Sequence, residues 1–229
     1  FSAPVQLRFD YSDTDLAFLF AHDSDAFNRW EAGQRLASNC LLSMIADLQA
    51  GREPARPELF LEAFGKALAD RGADPALLSL ALTLPGEIEL AEAMAVADPG
   101  AVHAARQALR LMVATELEAD LYAVMQLMDD DSLYSISPQA IGRRSLKNLC
   151  VAYLSLLQTE RIADHGFRQF TAADNMTDRL AALTCLVHGK LFRWEESLAA
   201  FYHQYQDDPL VVDKWFTLQA TAPGKETLN

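Results

Sequence analysis

The sequence predicts an all-α chain, arranged as an irregular α-solenoid of armadillo- or HEAT-like helix pairs with one short strand at its N-terminal end. Three observations carry this expectation. Apolar residues recur with a period near 3.6 through most of the 229 residues. Four Asp-Pro or Ser-Pro pairs punctuate the chain where helices should begin. The connections between apolar stripes are short, which favours neighbouring helices stacked in pairs. No fixed-period repeat is found, and a closed bundle is the alternative packing of the same segments.

Val5, Leu7 and Phe9 alternate with Gln6, Arg8 and Asp10, the period of a strand. One strand cannot satisfy its own backbone. Residues 1–12 therefore read as the end of a preceding β domain or a linker, and residues 13–229 as a helical superhelix that continues past its C-terminal side.

In Asp74-Pro75, Asp98-Pro99, Ser137-Pro138 and Asp208-Pro209 a capping side chain stands directly before a proline. Proline at the first helical position loses no needed hydrogen bond, and the residue before it accepts from the free amides. Phe27, Trp30, Ala37, Leu41, Met44 and Leu48 form one stripe. A longer one runs from Val102 through Leu109, Leu117 and Leu121 to Met128, and a third through Leu146, Leu149, Tyr153 and Leu157. Shorter segments at 59–68, 76–84, 162–170, 194–205 and 211–221 bring the expectation to about ten helices. Asn175 caps a further one, with Asp178 in its first turn and Met176, Leu180, Leu183 and Val187 on its apolar face.

Composition narrows the function. With 51% hydrophobic residues the chain can bury a substantial core. A net charge of −13 leaves no basic stripe for nucleic acid and opposes anionic membranes. No run approaches the roughly 18 apolar residues of a membrane span. Nor does a basic segment lead into an apolar one near residue 1, so no secretory signal is expected there. Cys40, Cys150 and Cys185 are scattered and odd in number. They read as reduced core thiols, which suits the cytoplasm.

The motifs of catalysis are missing from these residues. None of His22, His103, His165, His188 and His203 opens a His-Glu-x-x-His run, the spacing that sets two imidazoles one helical turn apart to grip zinc. There is no Gly-x-Ser-x-Gly elbow and no glycine-rich phosphate loop. Asp129-Asp130-Asp131 lacks the alternating oxygen ligands of a calcium loop and reads as a solvated helix end. Glu116 and Asp120 share a helix face, with Glu118 pointing elsewhere, and read as solvated charge. Arg143, Arg144 and Lys147 form the one compact basic patch, either plain helix-surface charge or a contact for an acidic neighbouring domain or a peptide carboxylate.

Asn175-Met176-Thr177-Asp178-Arg179-Leu180-Ala181-Ala182-Leu183, taken with Asp213-Lys214-Trp215-Phe216-Thr217-Leu218-Gln219-Ala220-Thr221 and with Phe1-Ser2-Ala3-Pro4-Val5, resembles the helical C-terminal region of the bacterial M1 family of zinc aminopeptidases. The resemblance covers nearly the whole chain and is strongest after Asn175. It implies a non-catalytic helical domain that follows a β-sandwich domain, packs beside a catalytic domain of the same polypeptide and limits the access of peptide substrates. It also implies zinc in the parent enzyme. Neither the zinc ligands nor the family's glycine-glutamate exopeptidase loop has a counterpart here, so no catalytic, cofactor or metal role passes to any residue of this chain. Asn175, Asp178, Arg179, Asp213, Lys214 and Trp215 are expected to form a structural or interdomain polar network. The competing expectation is a stand-alone α-solenoid scaffold for protein interactions.

Overall fold

The computed structural model describes residues 9–129 and 134–224. Twelve α-helices and one 3-10 turn are found among them, and no strand. The expected strand at Val5 to Phe9 lies outside the described residues except for Phe9, which is exposed coil. Among the described residues no helix is long and apolar enough to cross a membrane. The chain divides into two compact units, residues 1–73 with 80–109 and residues 74–79 with 110–229.

The first unit is built on α1 (Asp13–His22), α2 (Ala26–Gln49) and α3 (Glu58–Leu68). The period of the apolar residues did not single out α1, yet Ser12 and Asp15 form a reciprocal capping box at its start. Phe20 of α1 packs with Phe60 and Phe64 of α3 at centroid separations of 6.4 and 6.3 Å. Gly33 of α2 allows this approach, because a Cβ there would stand 2.8 Å from the Phe20 ring. Arg29, 8% exposed, closes the end of α1: its Nε and Nη2 donate to the carbonyls of Phe20 and Ala21, and its Nη1 meets Asp70 at 2.7 Å. That Arg29 hydrogen bond holds the Asp70 carboxyl below its ordinary value.

Arg29 and Gly33 occupy the α1-facing positions near the start of α2, so the expected stripe fails at Phe27 and Trp30 and holds at Ala37, Leu41 and Met44. Phe27 and Trp30 meet in a tilted ring contact at the surface, 65% and 38% exposed, while Leu36, Ala37, Leu41, Met44 and Ile45 form the core face.

All four proline-marked starts are helix starts. α4 (Pro75–Ala81), α6 (Pro99–Glu116), α8 (Pro138–Leu154) and α12 (Pro209–Ala220) begin where Asp74, Asp98, Ser137 and Asp208 accept first-turn amides. The short α5 (Glu87–Glu92) was not singled out by periodicity; too few residues of it are buried to leave a stripe. The long stripe beginning at Val102 is two helices, α6 and α7 (Glu118–Met128), interrupted at Leu117 with φ −108 and ψ 22. Glu116 and Asp120 thus flank an interruption rather than sharing successive turns. Apolar spacing runs through it because the amides of Leu117 and Leu121 still find their i−4 carbonyls.

In the second unit α7 lies against α8, and α9 (Glu160–Ala172) against α10 (Met176–His188), with α10 also touching α8 and α11 (Trp194–Tyr205). Leu146, Leu154, Ile162, Leu183, Leu186 and Phe201 are fully buried between them. Gly142 of α8 stands where a Cβ would meet the backbone nitrogen of Ala76 at 2.8 Å. An exposed helical Gly→Ala change ordinarily stabilises by up to about 1 kcal/mol. At Gly142 the clash reverses the sign: Gly142→Ala is expected to destabilise the chain by about 1–3 kcal/mol in denaturant melts. A gain in stability would contradict this packing.

Candidate functional site

A cleft of about 600 Å³ lies among α7, α8, α9 and the start of α10. Its floor is set by Lys147, a member of the compact basic patch with Arg143 and Arg144. Lys147 is 7% exposed and sits on the apolar face of α8 with Leu146, Cys150 and Val151. A buried ammonium needs partners. Its Nζ finds Asp178 and Asp129, each at 3.1 Å, and of these Asp178 is the buried one.

Asp178 is the node of the site. Its Oδ1 accepts from the Asn148 amide at 2.8 Å, and its Oδ2 accepts from Asn175 at 3.3 Å. Its own backbone amide donates to Asn175 Oδ1 at 2.9 Å, the cap of α10. Gln169 of α9 donates to both Asn148 Oδ1 and the Asp178 carbonyl, each at 3.0 Å, and meets His165 at 3.1 Å. Burial pushes the His165 imidazole below its ordinary value, with the Gln169 hydrogen bond opposing. The Asp178 carboxylate thus ties α10 to α8, and Gln169 of α9 joins both through the Asp178 backbone carbonyl and Asn148.

The residues singled out in the sequence divide three ways. Asn175 and Asp178 come together as described. Arg179 turns toward α11, where its Nη1 donates to Tyr205 Oη at 2.7 Å and Gln204 at 3.2 Å, while its Nη2 donates to the Ala173 carbonyl at the end of α9. Trp215 donates its indole N–H to the Leu198 carbonyl at 3.1 Å and packs on Tyr202 with centroids 4.9 Å apart. Asp213 and Lys214 are exposed on α12 and take no part in the Asp178 cluster. The cation that meets Asp178 is Lys147.

Sequence reasoning missed Asn148 and Gln169 as well as the role of Lys147. A signal existed for the lysine. It falls at the helical phase of Leu146, Cys150 and Val151, where a charge must be either paired or wrongly assigned. Asn148 and Gln169 carry no such mark, since an amide at a half-buried helix position is ordinary.

Among the described residues no three His, Cys, Asp or Glu side chains converge as metal ligands. Burial pushes the Cys150 and Cys185 thiols up to about 12 and Cys40 to about 11, so all three stay protonated at neutral pH. The arrangement suits holding and recognising charge.

Removing one partner of a buried pair strands the other. Asp178→Ala is expected to destabilise the chain by about 3–5 kcal/mol, and Asp213→Ala by no more than about 0.5 kcal/mol, in equilibrium unfolding. Equal effects would contradict the assignment of Asp178 as the node.

Residues 13–229 match a family described as a domain of unknown function (DUF3458_C) with ARM repeats. The chain is 38% identical over 229 residues to aminopeptidase N of Caulobacter vibrioides and 36% identical over 229 residues to aminopeptidase N of Escherichia coli, in each case across 100% of this chain. It spans 26% of the length of either relative. Among solved structures, aminopeptidase A of Legionella pneumophila in complex with aspartic acid superposes with a TM-score of 0.80 at 29% identity, covering 99% of this chain and 27% of that one. The chain belongs to this ARM-repeat family (DUF3458_C), as the counterpart of the helical C-terminal region of bacterial aminopeptidase N.

Proposed function

We propose that the chain is the non-catalytic helical domain of a zinc aminopeptidase that releases N-terminal amino acids from peptides. The observation that carries this reading is the match to aminopeptidase N along 100% of the chain at 38% identity. The domain packs beside the catalytic domain of the same polypeptide, encloses the active-site cavity and limits which peptides enter. Its contribution is exclusion of water and control of access.

Zinc is held by residues outside this chain. The donor set here does not suit it: His103 pairs with Glu87 at 2.9 Å, His165 with Gln169, and His188 with the Leu218 carbonyl at 3.0 Å, each in a different part of the chain. A net charge of −13 opposes nucleic acid and anionic membranes. The partners are therefore the catalytic and β domains of the same polypeptide together with peptide substrates, and the setting is cytoplasmic.

The complete polypeptide is expected to hydrolyse an aminoacyl reporter and short peptides, to lose this activity to a chelator, to regain it with zinc, and to leave folded proteins uncut. The present residues alone, supplied with zinc, should hydrolyse none of these. Turnover by these residues alone, or chelator-resistant turnover by the complete polypeptide, would overturn the reading.

A further inference from the structure

The cleft carries charge that the Lys147–Asp178 pair does not use. Among the described residues five Arg or Lys side chains line it against three Asp, in a chain whose net charge is −13. Arg161, His165 and Arg168 follow at i, i+4 and i+7 along α9 and share the face that lines the cleft, with Arg144 of α8 on the same wall. The Arg161 guanidinium carbon lies 3.6 Å from the Tyr122 ring centroid, and that of Arg144 4.9 Å from Tyr134. Stacking occupies the flat face of a guanidinium and leaves its in-plane N–H fork available.

The charges of these groups are unequally compensated. Asp174, held below its ordinary value first by the Asn175 amide, also feels Arg144. Arg168 gives its Nε to the Asp164 carbonyl at 3.4 Å. Inside the cleft Lys147 pairs with Asp129 and Asp178, and among the described residues Arg161 and Arg168 have no carboxylate partner. Arg161 and Arg168 stand two turns apart on one face of α9, a local concentration of positive charge in an otherwise acidic chain.

We propose that this cleft binds carboxylate-bearing ligands, with Arg161 and Arg168 as the anion contacts and Tyr122 fixing the plane of the Arg161 fork. A planar fork of N–H donors matches a carboxylate in two-point geometry. The cavity volume, about 600 Å³, suits a peptide segment or a small molecule. The proposal rests on the peptide-handling reading only for the source of the carboxylate, which is either an acidic side chain or a free C-terminus.

The test is calorimetric titration of the complete polypeptide with N-acetylated peptides, whose blocked amine keeps the measurement independent of hydrolysis. Acetyl-Ala-Glu-Glu-Ala-amide offers side-chain carboxylates, acetyl-Ala-Ala-Ala-Ala with a free terminus offers the other source, and acetyl-Ala-Gln-Gln-Ala-amide offers neither. At least one carboxylate peptide should bind, more tightly than the neutral one, and weaken with salt; which one binds identifies the source. R161Q/R168Q should lose roughly tenfold or more in that affinity, the size of one charge-assisted hydrogen bond. Both arginines are exposed, so the fold should survive; should the double variant melt early, R168Q alone serves, with a proportionate loss. Binding of the neutral peptide with equal affinity, unchanged affinity in the arginine variants, or no binding of either carboxylate peptide would overturn the proposal. An inactive polypeptide that still binds would leave the cleft standing and remove only the aminopeptidase reading.

Discussion

The ammonium of Lys147 is the constraint on which the second unit turns. A charge at a position 7% exposed is tolerated only when every available acceptor around it is fixed. Asp178 supplies that acceptor, and its own position is fixed by Asn148 and Gln169 from other helices and by Asn175 at the cap of α10. Hydrophobic burial of Leu146, Leu183 and Leu186 brings these helices close but is tolerant of small slides. The polar cluster is not, because its hydrogen bonds have a narrow range of distance and direction. Register among α8, α9 and α10 therefore follows from one ion pair and the amides around it.

This places the cleft as well. Its floor is the paired, buried charge; its wall is the face of α9 that carries Arg161, His165 and Arg168. Gln169 belongs to both, since it bonds to Asn148 and Asp178 while sitting one residue from Arg168. Fixing α9 through Gln169 also fixes where the arginines stand. A scaffold that fixes Arg161 and Arg168, which have no carboxylate partner among the described residues, suits recognition of charge.

Local rules made much of this legible in the sequence. A proline behind a capping side chain has one strong meaning, and each of Asp74, Asp98, Ser137 and Asp208 does start a helix. The cap of α10 by Asn175 is equally local. What the sequence could not display was anything decided by partners far along the chain. Lys147 and Asp178 are 31 residues apart, so the choice of Lys147 over Lys214 belongs to packing. Phe27 and Trp30 looked like core because large apolar residues usually are, yet Arg29 and Gly33 hold the inward positions of α2. The interruption at Leu117 left no mark because apolar spacing and the backbone ladder both run through it. Asn175 to Leu183 pointed to the family through its residue string, and the structure gives that string a physical task in Asp178.

The central claim is that Lys147 and Asp178 are energetically one unit. A double-mutant cycle of Lys147→Met and Asp178→Leu, followed by equilibrium unfolding, tests it most directly. The account predicts that the double variant is more stable than the sum of the single losses allows, with a coupling on the order of 1–3 kcal/mol, because each single change takes from a buried charge its buried partner and the double change removes both. Single losses that add to within about 0.5 kcal/mol would contradict it.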